Sequence, residues 1–195
     1  MEDLDYKMQK KATEDQLNNR EKLNKLFESS PMPIDHKMIN LGLYMRSSVL
    51  SKTLYINELY EMIVDLPGSI MEFGSWYGTN LALFESLRAI YDPYNYTRKV
   101  IGFDTYDGYD NISEEDGKND LVKEGQYNTP DNYIDYLGQV LDFHQNENVL
   151  PHIKKYDLIK GDATKTIYEY LDKNKHTMIS LAYFDMQLYT PTKKC

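Results

Sequence analysis

The chain has 195 residues, a formal net charge of −9 at pH 7 and a single cysteine, Cys195. One cysteine excludes an internal disulfide framework and a cysteine-based zinc site. An acidic chain without basic clusters argues against binding to nucleic acid and to anionic membranes. Its longest stretch free of Asp, Glu, Lys and Arg, residues 73–84, is too short for a transmembrane helix, which needs about 20 residues. The acidic N-terminus has no apolar signal core, so the predicted location is the cytoplasm.

Tyrosine is the most unusual feature of the composition, with 18 residues against six phenylalanines and one tryptophan. A tyrosine packs through its ring while its hydroxyl requires a polar partner, so we expect many of them at the edge of the core or around a polar cleft. Leu, Ile, Val and Phe together make up about a quarter of the chain, which is enough for a packed core. The length favours one domain with an added arm.

The first third of the sequence has a helical pattern. Residues 1–30 are rich in charge and carry few apolar side chains, which predicts a thin helical arm that is either solvated or part of an oligomer contact. After a proline-rich break, residues 35–66 return to helical spacing. Their apolar stripe consists of Tyr55, Leu59, Met62, Ile63 and Leu66. Pro67 and Gly68 stop the pattern, so we expect an N-terminal helical extension over residues 1–66.

The remaining residues, 67–195, alternate between short apolar runs and helical stripes. The predicted strands cover 69–73, 99–103, 158–160 and 178–184. The predicted helices cover 80–91 and 130–144, and a third begins with Thr164 as its N-cap. This alternation predicts an α/β domain with a Rossmann-like parallel sheet, right-handed crossovers and the strand order 3-2-1-4.

The last predicted strand, 178–184, is a nearly continuous apolar run, which is typical of a parallel strand covered on both faces. Few residues follow it, so one of its edges is expected to lie open. We expect either a truncated sheet or another chain that covers this edge.

Open α/β sheets bind ligands at the carboxyl ends of their strands. The first strand ends at Glu72, and the following turn is bracketed by Gly74 and Gly78. This Gly-x-x-x-Gly spacing does not meet the dinucleotide fingerprint, and by itself it is a weak signal for a nucleotide-like ligand.

An aspartate follows each of the other three strands. Asp104 suits either the two hydroxyls of a ribose or a turn, and Asp162 suits either the amino group of a purine or a helix cap. Asp185 would face the centre of the cleft as a metal ligand or a base. Four acidic residues at the correct ends of four strands favour a ligand site. The acidic stretch 104–124 is either a solvated loop or a lid that orders over the ligand.

Four motifs, at 68–74, 95–109, 160–167 and 183–192, resemble the macrocin-type sugar O-methyltransferases. The resemblance runs from residue 46 to residue 194. It implies a class I methyltransferase fold, S-adenosylmethionine as methyl donor, a deoxysugar or related glycoside as acceptor, and a divalent metal, usually Mg²⁺, at the acceptor hydroxyl.

The resemblance also implies roles for individual residues. The methionine and ribose part of the donor would be lined by Glu72, Gly74, Ser75, Trp76 and Gly78. Asp104, with Thr105, would hold the ribose, and Asp162 and Ala163 would hold the adenine. Asp185 would be the metal ligand or the base that takes the proton of the sugar hydroxyl.

The sequence departs from the family pattern at two places. Gln187 stands where the family usually has an aspartate, and an amide cannot act as a base. The family continues beyond the position of Cys195 with further strands and acidic residues, so we expect a C-terminally truncated acceptor half. One alternative is therefore a binding-only or inactive remnant of the family. Another is a nicotinamide-dependent sugar dehydrogenase, which the glycine spacing disfavours. A homo-oligomer is also possible.

Overall fold

The computed structural model describes residues 12–109, 112–117 and 122–195. These residues fall into two compact units, of which the larger runs from Ile56 to Cys195 and the smaller ends at Tyr55. The part of the predicted N-terminal arm before residue 12 lies outside the described residues. None of the helices in the described part of the chain is long and apolar enough to cross a membrane.

The smaller unit is helical, as the sequence predicts. Helix α1 is Glu14–Glu28, α2 is Ile34–Ile39, a 3₁₀ turn covers Leu41–Tyr44, and α3, which continues into the larger unit, is Ser47–Glu61. Thr13 begins α1 with a capping box. The helical pattern of 35–66 is thus divided into three pieces. No side chain among residues 12–55 is buried.

The larger unit contains a four-stranded parallel sheet in the order β3-β2-β1-β4, which confirms the predicted fold. The strands are β1 (Ser69–Phe73), β2 (Val100–Asp104), β3 (Tyr156–Lys160) and β4 (Ile179–Phe184). The helices that follow them are α4 (Thr79–Tyr91), α5 (Tyr133–Glu147), α6 (Ala163–Lys173) and α7 (Tyr189–Lys194).

The pleat of β1 separates two apolar cores. Ile70 packs on one face in a cluster that includes residues of α3, α4 and α5. Met71 and Phe73 pack on the other face with residues of β2 and α6. Because side chains alternate along a strand, Glu72 lies on the same face as Ile70, towards α4 and α5.

The apolar stripe predicted for α3 is displaced. The buried side chains are Ile56, Tyr60 and Ile63, whereas Met62 is 75% exposed and Leu66 is 50% exposed. The helix ends at Glu61, earlier than the sequence predicts, and the turns after it carry Ile63 into the core by a different path.

Strand β4 is less covered than its apolar sequence predicts. Ile179 is 48% exposed and Phe184 is 42% exposed. Among the strands of the described residues, β4 pairs only with β1, so its other edge has no partner strand there.

The buried guanidinium of Arg98 joins the elements at the amino end of the sheet. It donates hydrogen bonds to the carbonyls of Ile63 (2.9 Å) and Leu66 (2.8 Å), in the turns after α3. It also donates to Ser180 Oγ in β4 (2.8 Å) and forms an ion pair with Asp92 after α4 (2.6 Å). One planar group with five donors therefore holds three segments together, namely the turns after α3, the segment after α4 and β4.

Replacement of Arg98 by methionine is expected to lower the free energy of unfolding by about 3–5 kcal/mol, because it leaves the Asp92 carboxylate and several carbonyls without their donor. Arg98→Lys should lie in between, since an ammonium keeps the charge but not the planar fork. Urea denaturation followed by circular dichroism measures the effect. Arg46→Met, at an exposed position, is the control, and an equal loss in both variants would refute the role of Arg98.

Candidate cofactor site

Backbone hydrogen bonds continue past the ends of the strands and hold their carboxyl ends together. Gly74 N–H donates to the carbonyl of Phe103 at 2.9 Å, and Asp185 N–H donates to the carbonyl of Phe73 at 2.9 Å. Gly74 has a φ of +88°, and a Cβ at this position would lie 2.8 Å from the Asp185 carbonyl oxygen. Glycine is therefore required for the close approach of the chain after β4.

Gly78, the second glycine of the turn, precedes the first residue of α4 with a φ of +74°. A Cβ here would overlap the side chain of Leu137 in α5. The structure thus gives Gly78 a role in helix packing, and its predicted proximity to a ligand stays a prediction.

Glu72 is fully buried beneath this turn. Asn80, in the first turn of α4, donates to Glu72 Oε1 at 2.6 Å. This hydrogen bond connects β1 to the start of α4 and can therefore position the turn that a donor would contact.

The carboxylate of Glu72 also acts on Tyr106. Burial, together with the neighbouring carboxylates of Asp104 and Glu72, raises the pKa of Tyr106, which keeps its hydroxyl protonated.

Asp104 ends β2 with both carboxylate oxygens bound to backbone. Oδ2 accepts the N–H of Trp76 at 2.7 Å, and Oδ1 accepts the N–H of Tyr106 at 2.7 Å. Burial raises the pKa of Asp104, although these hydrogen bonds act in the opposite direction. Since each carboxylate oxygen has two lone pairs, Asp104 can still accept a hydrogen bond from a ribose hydroxyl.

The hydroxyls of two further predicted donor-binding residues differ in their contacts. Thr105 Oγ1 donates to the carbonyl of Gly108 at 2.9 Å. Ser75 is buried against β2, where a Cβ at Gly102 would lie 2.8 Å from Ser75 Oγ. This Oγ has no hydrogen-bond partner within the described part of the chain, so a bound ligand could supply one.

Asp162 is the N-cap of α6, and the prediction of Thr164 in this role is wrong. Asp162 Oδ1 accepts the backbone N–H of Thr164 at 2.9 Å and its hydroxyl at 2.8 Å. Partial burial opposes ionisation of Asp162, but these bonds and Lys165 outweigh it and hold the pKa of Asp162 below its ordinary value. The next residue, Ala163, is buried in the core.

The segment after β4 places Asp185 and Gln187 at the exposed side of the site. Gln187 Nε2 donates to the hydroxyl of Tyr127 at 3.2 Å, and Tyr189 N–H donates to Asp116 Oδ1 at 2.6 Å. Both partners belong to the loop that follows β2. Since β1 lies between β2 and β4, these two contacts join the described parts of the loop to the segment after β4 across the carboxyl end of β1.

The described parts of this loop, 105–109, 112–117 and 122–132, are held together at their ends. Tyr109 N–H donates to the Gln126 carbonyl at 2.9 Å, and Gly125 N–H donates to the Tyr109 carbonyl at 3.0 Å. The described parts of the predicted lid segment therefore contact the segment after β4. Tyr109 and Tyr127 lie beside these residues and are not among the predicted site residues, although the high tyrosine content pointed to a tyrosine-lined cleft.

The residues present are suited to S-adenosylmethionine but not to Mg²⁺, the two ligands that the family resemblance implies. Asp104 and the buried Ser75 hydroxyl supply polar atoms of the kind that S-adenosylmethionine requires. For a metal, Asp185 supplies one carboxylate, whereas Mg²⁺ prefers six oxygen ligands in octahedral geometry. Within residues 12–109, 112–117 and 122–195, no group of three or more His, Cys, Asp or Glu side chains could hold a metal ion.

Two solved structures, both of CalS11, are similar to this chain. One, described as calicheamicin methyltransferase, has a TM-score of 0.91 and 34% identity, and the match covers 97% of this chain and 76% of that one. The other is an apo structure described as TDP-rhamnose 3′-O-methyltransferase, an enzyme in calicheamicin biosynthesis. It has a TM-score of 0.80 and 34% identity, with 94% of this chain and 71% of that chain covered. No protein-family model and no curated protein matched the chain.

Removal of the cap in Asp162→Ala is expected to lower the free energy of unfolding by about 1 kcal/mol at pH 7. Because the folded-state pKa of Asp162 is lowered, its contribution is present above the unfolded pKa of about 4 and is lost as the pH falls through the folded-state value. Urea denaturation at several pH values should show the variant approaching wild type in acid. Glu169→Ala, exposed on the same helix, is the control, and a difference that does not depend on pH would contradict the assignment.

Proposed function

Because this chain belongs to the O-methyltransferase family that includes CalS11, we propose that it methylates a hydroxyl of a nucleotide-linked deoxysugar with S-adenosylmethionine as donor. The first acceptor to test is TDP-rhamnose, the substrate in the description of CalS11. The four motifs that resemble the macrocin-type sugar O-methyltransferases support the same proposal and lie at the same strand ends.

The observation that carries the proposal is the fixed position of Asp104. Its carboxylate is locked by the backbone N–H groups of Trp76 and Tyr106, and it has lone pairs left for the ribose of the donor. A ligand site arranged before binding loses less conformational entropy when the ligand arrives.

S-adenosylmethionine supplies a methyl group on a positively charged sulfur, so that an oxygen–carbon bond forms as the carbon–sulfur bond breaks and neutral S-adenosylhomocysteine leaves. In our proposal the chain aligns the two reacting atoms, and Asp185 takes the proton of the acceptor hydroxyl. Its exposed position at the end of β4 suits contact with a second substrate. Alignment and general base catalysis are the two effects required of the protein.

Two parts of the proposal rest on the sequence alone, namely a cytoplasmic location and a homo-oligomer. Magnesium at Asp185, which the family resemblance implies, is not part of the proposal. No step is assigned to the metal, since the donor set of the described residues does not fit it.

The binding-only alternative is favoured by one observation. Gln187 replaces the usual aspartate, and its amide is engaged with Tyr127 rather than directed to a metal or an acceptor proton. A chain of this kind would bind S-adenosylmethionine but transfer no methyl group.

Isothermal titration with S-adenosylhomocysteine is expected to show at least about tenfold weaker binding to Asp104→Ala, because charge-assisted hydrogen bonds to the ribose contribute about 1.5–3 kcal/mol each. Circular dichroism checks that the variant is folded, and Asp172→Ala, exposed on α6, is the control. Unchanged affinity in a folded Asp104→Ala protein would refute the donor site.

Replacement of Asp185 by asparagine is expected to reduce methyl transfer to TDP-rhamnose by about 100-fold or more, because the base is lost. The affinity for S-adenosylhomocysteine should stay close to that of wild type. Donor binding by wild type without methyl transfer to TDP-rhamnose would favour the binding-only alternative over this acceptor.

A further inference from the structure

We propose that the rings of Tyr109 and Tyr127 form the platform on which the deoxysugar ring of the acceptor lies. The inference rests on the proposed function and adds to it the residues that select the acceptor. We name the two rings the tyrosine platform.

The two rings pack against each other at a tilt. Their centroids are 5.2 Å apart with an interplanar angle of 48°, and both side chains are partly exposed. Backbone pairing between Tyr109 and residues 125 and 126 holds the two tyrosines side by side. The edge of Trp76 packs against Tyr127 with the centroids 5.5 Å apart, which fixes the platform to the turn after β1.

The tyrosine platform borders the position of the proposed chemistry. Asp185 and Gln187 are two residues apart in the segment after β4, and Gln187 is hydrogen-bonded to the Tyr127 hydroxyl. Tyr109 is close enough to Asp185 for the carboxylate to influence its hydroxyl. After burial and Tyr127, the charge of Asp185 is the largest influence that raises the pKa of Tyr109. An acceptor whose hydroxyl reaches Asp185 therefore lies beside both rings.

The chemistry of the platform suits a deoxysugar. The C–H bonds on one face of a sugar ring, and the methyl group of a 6-deoxysugar, are apolar and pack on aromatic faces. The tyrosine hydroxyls can donate hydrogen bonds to sugar oxygens and accept them from sugar hydroxyls. Gln187 adds specificity here because its amide donates to Tyr127 Oη, so the hydroxyl hydrogen points away from Gln187. An aspartate at this position would instead accept that hydrogen.

The experiment compares wild type with Tyr109→Leu, Tyr127→Leu and Tyr127→Phe in steady-state methyl transfer to TDP-rhamnose. Each leucine variant is expected to raise the KM for TDP-rhamnose by about fivefold or more, because the sugar loses one of the rings on which it packs; fivefold corresponds to about 1 kcal/mol. Tyr127→Phe keeps the ring, so its KM for TDP-rhamnose should lie close to that of wild type. Tyr168→Leu, at a position 64% exposed on α6, should behave like wild type.

The donor provides the second measurement. The KM for S-adenosylmethionine and the Kd for S-adenosylhomocysteine should change little in the leucine variants. A wild-type KM for TDP-rhamnose in both leucine variants would overturn the platform. An equal loss of donor affinity would also overturn it, because the rings would then shape the donor site.

Failure of the proposed function gives a different result, since wild type would then consume no donor with TDP-rhamnose. In that case, calorimetric titration of the chain with TDP-rhamnose still tests the platform. Binding to wild type that weakens in both leucine variants but not in Tyr168→Leu supports it, and no binding to wild type overturns it.

Discussion

The buried charge of Arg98 is the constraint on which the rest of the sheet depends. Its guanidinium donates hydrogen bonds to the turns after α3, to the Gly68 carbonyl just before β1, and to Ser180 in β4. Such a charge is stable in the interior only when all its donors are satisfied, so these segments are held in one arrangement. The strands are five or six residues long, so their registers at this end also fix where their carboxyl ends meet, about 17 Å away.

The sequence predicts the parallel sheet, its order and the four strand-end acids, because buried strands and amphipathic helices have different apolar periods. It does not predict the contacts that these acids make with the rest of the protein. The contacts of Asp104 depend on left-handed backbone at Trp76 and Tyr106, where φ is 46° and 59°. Bulky residues rarely adopt this conformation, and no local pattern signals it. The cap of α6 was misassigned because Asp162 and Thr164 are both good capping residues two positions apart.

The two sides of the site differ in how they are built. On the proposed donor side, Glu72 and Asp162 are bound by groups eight and two residues away in the sequence, and Asp104 by the N–H of Trp76, 28 residues away. On the other side, Asp185 is exposed, and the loop after β2 contacts its neighbour Gln187 through Tyr127, 60 residues away. The strand ends could be assigned from the sequence because local apolar periodicity sets them, whereas the loop residues could not, since long-range side-chain pairing has no local signal.

Trp76 is the only tryptophan of the chain. Its backbone is bound to Asp104, and its indole lies 4.4 Å from the ring of Tyr77 and 5.5 Å from that of Tyr127, measured between centroids. Its emission can be excited separately from that of the tyrosines, so the protein carries one intrinsic fluorophore at the junction of the turn after β1 and the overlying loop. A change in the intensity or wavelength of this emission would report directly on the binding of a ligand at this junction, without a label and without catalysis.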